Sequence, residues 1–227
     1  MTRVAVNLEE MAADYDRAAK AAARRIVVCA GTGCVANGAL DVHAAFVRQI
    51  EAAGLKVTVE LRDEHEADGG VHVSKSGCQG FCQMGPLVTV LPENILYVRT
   101  RADDVAEIVE RTLVRGETVE RLLYQDPIRG QVCRGPGEIP FYTRQSRTVL
   151  KQCGLINPED VREYVSQGGY RAARRAWLDM TPQAVCEEIT FSGLRGRGGG
   201  GFPTGKKWEL TRVQNNTKKY VICNGDE

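Results

Sequence analysis

Two pairs of cysteines constrain the fold of this chain more than any other feature. Cys29 and Cys34 are separated by four residues, and Cys78 and Cys82 by three, in the segments CAGTGC and SGCQGFC. Each pair follows a predicted strand and lies in a glycine-rich loop. Two irons bridged by sulfide need four thiolates from loops whose amides can point at the sulfurs. The spacing favours a [2Fe–2S] cluster, with a zinc site or plain core thiols as alternatives.

Other cysteine and histidine chemistry is less favoured. Zinc would favour C-x2-C in both pairs, and a thioredoxin-type redox site needs one C-x-x-C, which this sequence lacks. The remaining cysteines have no ligand spacing and are interpreted as free, buried thiols: Cys133, Cys153, Cys186 and Cys223. His43, His65 and His72 are isolated, and we expect ordinary surface or satisfied core positions.

Charge and hydropathy exclude several classes of protein. The formal net charge is +1, which gives no argument for a nucleic acid or an anionic membrane as partner. No apolar run approaches the ~18 residues of a membrane span. The first 25 residues are too charged for a secretory signal. We therefore expect a reducing, cytoplasmic compartment, in which cysteines serve as ligands or free thiols.

The cysteine loops lie within a predicted α/β domain. Short apolar or alternating runs predict strands at 25–30, 55–61, 71–77, 86–91 and 95–100. Helical spacing predicts helices over 39–53 and from Asp103 or Asp104 to Arg115, the first with an apolar face of Leu40, Ala44, Val47 and Ile50. This order of elements matches a thioredoxin-like layer, in which helices pack on a mixed sheet.

The flanking segments have different patterns. Residues 8–23 predict an amphipathic helix, and the Gly- and Pro-rich stretch 117–145 predicts an extended connector unless its apolar residues pack on a neighbour. Residues 146–191 predict helices, with capping signals at Asn157-Pro158 and Thr181-Pro182. KKYVICN, residues 218–224, predicts a buried strand that ends at polar NGDE.

A second chemical feature is the glycine-rich stretch SGLRGRGGGGFPTGKKW, residues 192–208. Seven of the thirteen residues from Gly193 to Gly205 are glycine, so backbone N–H groups can approach an anion closely. Arg195, Arg197, Lys206 and Lys207 add positive charge, and a helix predicted to begin near Thr204 or Gly205 adds its positive end. The pattern predicts a phosphate cradle, with a flexible linker as the alternative.

This stretch, together with KYVICNGDE at residues 219–227, resembles the flavin-site signature of the NADH-oxidising flavoprotein subunit of respiratory complex I. The matching subunits of NAD(P)-linked multimeric hydrogenases and formate dehydrogenases share it. The resemblance runs from about Phe141 to the last residue. It implies that an FMN phosphate and a nicotinamide cofactor, NAD(H) or NADP(H), bind beside the glycine loop.

The resemblance also implies roles for individual residues. Phe202 would stack near the adenine, and the family often has an aromatic residue where Leu210 stands. The residues implied in binding FMN come from the loop and from the second motif: Gly196, Arg197, Gly198, Gly199, Gly201, Lys207, Asn224, Asp226 and Glu227.

The cysteine spacing in turn resembles the thioredoxin-like [2Fe–2S] ferredoxins that lie beside that flavoprotein subunit, with Cys29, Cys34, Cys78 and Cys82 as the implied ligands. A fusion of the two modules resembles the β subunit of multimeric, including electron-bifurcating, hydrogenases and of NAD-linked formate dehydrogenases. It implies a diaphorase-type oxidoreductase subunit that passes electrons between the nicotinamide cofactor, FMN and iron–sulfur clusters. Implied partners are the other subunits of such a complex, further iron–sulfur subunits among them, and a separate ferredoxin.

Two alternatives remain at this stage: a [2Fe–2S] electron-carrier or scaffold subunit without flavin, and a zinc-stabilised interaction module. Because the sequence ends at Glu227 within the second motif, we expect a longer natural subunit, a [4Fe–4S] cluster only beyond Glu227, and weak flavin binding by these residues alone.

The predicted fold class is α/β: a thioredoxin-like ferredoxin domain followed by the helical and glycine-loop part of a complex I-type FMN-binding domain. The predicted divisions are a leader at 1–23, the ferredoxin domain at 24–116, the connector at 117–145 and the flavin part at 146–227.

Overall fold

The computed structural model describes residues 6–62, 67–220 and 222. The chain divides into two compact units, Met1–Gly168 and Gly169–Glu227. No helix within the described ranges is both long and apolar enough to cross a membrane.

The first unit alternates helices with short strands. In chain order its helices and strands are α1 (Leu8–Ala21), β1 (Arg24–Cys29), α2 (Thr32–Ala36), α3 (Ala39–Ala52), β2 (Val57–Thr58), β3 (Val71–Ser76), β4 (Val88–Leu91), β5 (Ile95–Tyr97), α4 (Val105–Ile108), β6 (Tyr124–Gln125), β7 (Val132–Cys133), α5 (Pro140–Thr143) and α6 (Val161–Ser166). A 3-10 turn at Ala102–Asp104 precedes α4, which continues as a π-helix over Val109–Val114. Further 3-10 turns lie at Cys82–Met84, Glu120–Leu122 and Pro136–Glu138.

Five strands of the described residues form a mixed sheet in the order β2-β3-β1-β4-β5. β1 runs parallel to β3 and antiparallel to β4, as the predicted thioredoxin-like layer requires. The largest core cluster packs on this sheet and includes the fully buried Phe46, Ile26 and Tyr97. The buried Tyr97 hydroxyl forms two hydrogen bonds in the core. It lies 2.6 Å from Thr112 Oγ1, and it accepts from the Val119 N–H at 3.1 Å.

Two sequence predictions for this unit are wrong in detail. On α3, Leu40 is exposed, and the buried residues are Ala39, Val42, Ala45, Phe46 and Ile50. This face buries Phe46, which offers more apolar area than the predicted face. The strand predicted over 55–61 is reduced to Val57–Thr58, because Leu61 leaves the sheet and packs with Tyr15 and Ala18 of α1.

The stretch 117–145 has little regular structure but is packed against the sheet. Val119, Leu122, Cys133 and Ile139 all belong to the main core cluster. The Leu96 N–H donates to the Arg134 carbonyl at 2.8 Å. The packed alternative therefore describes this stretch better than an extended connector. The ends of the ferredoxin domain at 116 and of the connector at 145 stay predictions.

The second unit contains α7 (Arg171–Leu178), α8 (Pro182–Phe191) and α9 (Thr204–Arg212). The Thr181 side chain caps α8 by accepting from the Ala184 N–H, as predicted. In the first unit, by contrast, α6 is capped by Asp160 and not by Asn157. The strand predicted at 218–224 is not formed at its described residues: Tyr220 and Ile222 are exposed. A strand needs a paired neighbour, and the described residues of this unit contain no strand.

Candidate functional site

The cysteine loops leave the sheet side by side. Cys29 is the last residue of β1 and lies opposite Ser76, the last residue of the parallel neighbour β3. The loops that follow both strands therefore start at the same edge of the sheet. One leads into α2, whose middle residue is Cys34, and the other carries Cys78 and Cys82. All four predicted cysteines are thus brought to one edge.

Glycine allows the two loops to touch. A Cβ on Gly31 would lie 2.8 Å from Cys78 Cβ and 3.1 Å from Cys78 Sγ. A Cβ on Gly85 would lie 2.6 Å from Cys34 Sγ. Gly33 is less tightly placed, because a Cβ there would lie at the ordinary contact distance of 3.6 Å from Cys82 Cβ. The distances at Gly31 and Gly85 leave no room for side chains, so these two glycines shape the space around the sulfurs.

Backbone amides and thiols surround the cysteine sulfurs with hydrogen bonds. The Gly80 N–H donates to Cys78 Sγ at 3.3 Å, and the sulfurs of Cys78 and Cys82 are 3.7 Å apart. A hydrogen bond from Cys34 lowers the pKa of Cys29 to about 6, against the effect of burial and with help from the amides of Gly31 and Gln79. The same bond and burial raise the pKa of Cys34. One thiolate is therefore favoured within the buried pair.

The four thiols stand as two pairs that differ in exposure. Cys29 and Cys34 are buried, whereas Cys78 and Cys82 are exposed. Among the residues that the structure describes, no group of three or more His, Cys, Asp or Glu side chains is arranged to hold a metal ion. The difference in exposure places Cys29 and Cys34 in the core and Cys78 and Cys82 at the surface.

A segment missed by the sequence reasoning covers the second cysteine loop. Phe141 stacks on Phe81 with ring centroids 4.7 Å apart. Arg147 Nη2 donates to the Gln79 carbonyl at 3.0 Å, and a Cβ on Gly154 would lie 2.7 Å from Gln79 Cγ. The run PFYTRQSR, residues 140–147, combines aromatic and basic side chains, and this density is the signal that could have indicated the contact.

The cysteine quartet fits a [2Fe–2S] cluster in residue type and surroundings, although the described side chains are not gathered around a metal position in this structure. Four cysteine sulfurs at one sheet edge are the usual ligands of such a cluster. Two buried polar atoms from this neighbourhood, the Tyr142 hydroxyl and Gln79 Nε2, find no hydrogen-bond partner among the residues that the structure describes. Buried donors are rarely left unpaired, and cluster sulfurs accept hydrogen bonds.

The other cysteines and histidines take no part in this quartet. Cys133 and Cys186 are buried free thiols, as predicted. Cys153 is exposed, so the prediction of burial is wrong there, because this residue lies in a turn outside the helices and strands. Cys223 lies outside the described residues. Burial and the Arg25 charge lower the pKa of His72 to about 4, and burial also lowers the pKa of His43. His65 lies outside the described residues.

Backbone hydrogen bonds join the two ends of the glycine loop of the second unit. The Gly196 N–H donates to the Phe202 carbonyl and the Thr204 N–H to the Leu194 carbonyl, both at 2.9 Å. Arg195 Nε donates to the Gly201 carbonyl at 2.6 Å, and Arg197 Nη1 donates to the Arg195 carbonyl at 3.1 Å. Arg195 therefore closes the loop, and Arg197 is held close to it.

The tip of the loop is open, and its surroundings are basic. A Cβ on Gly198, Gly199 or Gly200 would have no heavy atom within 4 Å. α9 begins at Thr204, as predicted, and its first turn carries Lys206 and Lys207 but no acidic residue. Cations at this end oppose the helix dipole, whereas an anion there would be stabilised by both the dipole and the lysines.

Phe202 and Lys207 share one hollow with Leu210, Thr211 and Gln214, of about 480 Å³. Phe202 is 51% exposed, so its ring is available for stacking. The structure thus brings together two residues that were predicted to bind the cofactors. Asn224, Asp226 and Glu227, also predicted, lie outside the described residues.

Comparison with protein families gives two matches. Residues 7–113 match the family model of the thioredoxin-like [2Fe–2S] ferredoxins, and residues 189–227 match that of the Nuo51 FMN-binding domain. The first range contains the cysteine quartet, and the second contains the glycine loop and the second flavin motif.

Curated relatives include stand-alone and fused proteins. A 2Fe-2S ferredoxin of Clostridium pasteurianum is 37% identical over 97 residues, which is 43% of this chain and 91% of that protein. The NADP-reducing hydrogenase subunit HndC of Solidesulfovibrio fructosivorans is 43% identical over 84 residues, 37% of this chain and 17% of that subunit. The NAD-reducing hydrogenase HoxS subunit alpha of Cupriavidus necator is 27% identical over 89% of this chain and 30% of that subunit. The chain therefore spans less than a third of the length of these two hydrogenase subunits.

These findings define an electron-transfer class of protein, in which an iron–sulfur module is joined to a flavin module. The chain belongs to the thioredoxin-like [2Fe–2S] ferredoxin family and carries, in the same polypeptide, a segment of the Nuo51 FMN-binding domain.

Proposed function

We propose that this chain is the electron-transfer part of an NAD(P)-linked oxidoreductase subunit of the hydrogenase type. Cys29, Cys34, Cys78 and Cys82 bind one [2Fe–2S] cluster in this proposal. The observation that carries it is the meeting of both cysteine pairs at one sheet edge, where Gly31 and Gly85 leave space only for the sulfurs. The names of the hydrogenase relatives support a nicotinamide cofactor, NAD(H) or NADP(H), for this subunit.

The chain's own residues would divide the work between the two units. When bound, FMN accepts a hydride as two electrons and releases them singly, and the iron–sulfur cluster carries one electron at a time. The exposed pair Cys78 and Cys82 would give the cluster a short path to a partner. The buried pair and its glycine neighbours would keep water from the other side.

The glycine loop would hold the flavin phosphate. Gly196, Gly198, Gly199 and Gly201 would offer backbone N–H groups, and Arg197 and Lys207 would offer charge. The lysine-bearing first turn of α9 supports this proposal, because an anion offsets the unfavourable charge at that helix end. Phe202 would stack on the adenine of NAD(H) or NADP(H), and Asn224, Asp226 and Glu227 would complete the flavin site.

The chain would contain two functional domains and would bind further subunits. Residues 24–116 would form the cluster-binding domain and residues 146–227 part of the flavin-binding domain, with 117–145 joining them. The partners would be further iron–sulfur subunits of the same complex. The relatives named as hydrogenase subunits support this assembly.

Metal analysis of the full chain, purified without oxygen, tests the cluster. We expect about two irons and two acid-labile sulfides per chain, and an electron paramagnetic resonance signal on reduction. Cys78→Ser should abolish or strongly alter that signal. Cys133→Ser is the matched control, because Cys133 is a buried free thiol outside the two cysteine loops, and it should leave the signal unchanged. One zinc per chain without iron would contradict the proposal.

Titration with FMN and riboflavin tests the loop, because the two ligands differ only in the phosphate. We expect FMN to bind more tightly. Arg197→Ala should weaken FMN binding ~10- to 100-fold, since a charge-assisted phosphate contact contributes about 1.5–3 kcal/mol. Riboflavin binding should not change. Arg171→Ala, an exposed arginine of the same unit outside the loop, is the control. A chain that binds iron but does not prefer FMN to riboflavin would instead favour the alternative of a [2Fe–2S] electron carrier without flavin.

A further inference from the structure

Tyr142 lies beside the second cysteine loop, although it is outside the matched ferredoxin range. Its ring meets Phe81 edge-on, with centroids 5.7 Å apart, and Phe81 is the residue before Cys82. Tyr142 also packs on the core cluster that includes Cys29 and Cys34. The ring therefore lies against the second cysteine loop and the core.

The segment around Tyr142 is fixed by several contacts. Arg147 lies over the Tyr142 ring, with its Cζ 5.5 Å from the centroid, and the same guanidinium donates to the Gln79 carbonyl at 3.0 Å. Phe141 stacks on Phe81. Tyr142 is therefore held through its sequence neighbour Phe141 and through Arg147, which also contacts the residue after Cys78.

The Tyr142 hydroxyl is buried and has no hydrogen-bond partner among the described residues. Burial raises its pKa, Arg147 lowers it, and negative charge on Cys29, Cys78 and Cys34 raises it again. The hydroxyl thus lies within electrostatic range of three of the four thiols and remains protonated at neutral pH. A buried donor without an acceptor is costly, so an acceptor is expected when the site is filled.

We propose that the Tyr142 hydroxyl donates a hydrogen bond to a sulfur of the [2Fe–2S] cluster and raises its reduction potential. The inference rests on the proposed cluster at Cys29, Cys34, Cys78 and Cys82. Reduction adds negative charge to the sulfurs, so a donor stabilises the reduced cluster more than the oxidised one. Tyr142 is a tuning residue here, supplied by chain outside the ferredoxin family match.

Tyr142→Phe in the full chain tests this, because it removes the hydroxyl and keeps the ring. Iron and sulfide are measured first, and the midpoint potential is then determined by a redox titration monitored by electron paramagnetic resonance. We expect unchanged cluster content and a potential lower by ~59 mV, which corresponds to a tenfold change in a one-electron equilibrium. Tyr124→Phe is the matched control, since that ring also meets Phe81 edge-on, at 5.2 Å, and it should not shift the potential.

Each outcome of the experiment has one meaning. Unchanged potential in a fully loaded Tyr142→Phe protein would overturn the inference, and wild-type protein without iron would overturn the proposed function instead. If Tyr142→Phe does not hold the cluster, 3-fluorotyrosine is placed at position 142 by amber suppression. Fluorination keeps the shape of the ring but makes the hydroxyl a stronger donor, so the potential should rise. An unshifted potential in the fluorinated protein would contradict the hydrogen bond.

Discussion

At the scale of single residues, Gly31 is the tightest point between the cysteine loops. Any side chain there meets Cys78 Cβ at 2.8 Å, whereas a Cβ on Gly77 would have open space. We expect Gly31→Ala to push the two loops apart and to reduce bound iron severalfold, because overpacking costs about 1–3 kcal/mol. Gly77→Ala, its neighbour control, should keep wild-type iron content. Equal iron content in the two variants, measured after identical anaerobic purification, would show that the loops can accommodate the added methyl group without losing iron.

The second residue-scale prediction concerns pH. His72 of β3 is buried, with Arg25, Asp160 and His43 near enough to act on its charge, and its pKa falls to about 4, mainly through burial. The unfolded chain, with an ordinary histidine pKa of about 6.5, binds more protons than the folded chain between these values. Stability from neutral His72 is therefore complete above pH ~6.5 and is lost as the pH falls towards 4, by up to about 3 kcal/mol.

Urea unfolding followed by circular dichroism at pH 7 and pH 5 measures this effect. His72→Gln, which cannot titrate, should flatten the difference between the two pH values. A variant as sensitive to pH as the wild type would assign the effect to other groups.

At the scale of elements, a buried ion pair ties α6 to the sheet. Arg25 of β1 donates to both Glu163 carboxylate oxygens, at 2.6 and 3.1 Å, and the Glu163 side chain is only 4% exposed. Glu163→Gln leaves Arg25 without its counter-charge and should destabilise this part by about 3–5 kcal/mol. Hydrogen exchange of α6 and of the contacting α1 should rise accordingly.

The matched control is Glu159→Gln. Glu159 pairs with Lys75 of β3, but its side chain is 66% exposed. An exposed pair contributes about 0–1 kcal/mol, so exchange in α6 should hardly change. Similar exchange in both variants would mean that the Arg25 pair contributes no more than a surface contact.

A second element-scale prediction concerns α8 and α9, which pack together through Gly205. A Cβ there would lie 2.2 Å from Thr190 Oγ1 and 2.7 Å from the Thr190 backbone. Gly205→Ala should separate the two helices and cost at least about 2 kcal/mol, seen as faster hydrogen exchange in both. Gly200→Ala, at the open loop tip, should leave exchange unchanged. The idea fails if the two variants exchange alike.

At the scale of the whole molecule, the structure divides the chain at Gly168–Gly169. The stretch 117–145 lies within the first compact unit and buries Val119, Leu122 and Ile139. Limited trypsin digestion should therefore cut first near Arg171, and it should cut later at Arg129 and Arg134, although their side chains are exposed. Mass spectrometry of the first fragments identifies the site. A first cut within 117–145 would support the boundary predicted from sequence.

Local sequence signals predicted much of the fold. Apolar runs and Gly or Pro boundaries predicted β1, β3, β4 and β5, and Thr181-Pro182 predicted the start of α8. These signals suffice because strand alternation and helix capping depend on neighbours in sequence. The cysteine loops were predicted for the same reason: each pair lies within one short loop, directly after a strand.

Only the tertiary structure decided which surfaces meet. The buried face of α3, the short β2 and the exposed residues 218–220 and 222 depend on partners that are distant in sequence or on a missing strand neighbour. The same holds for Tyr142 and Arg147, whose run had no periodicity yet covers the loop of Cys78. Residue type and spacing determined the chemistry that this chain can carry. Packing between remote segments decided which side chains surround it, because burial and hydrogen bonding there are set by contacts that no local pattern encodes.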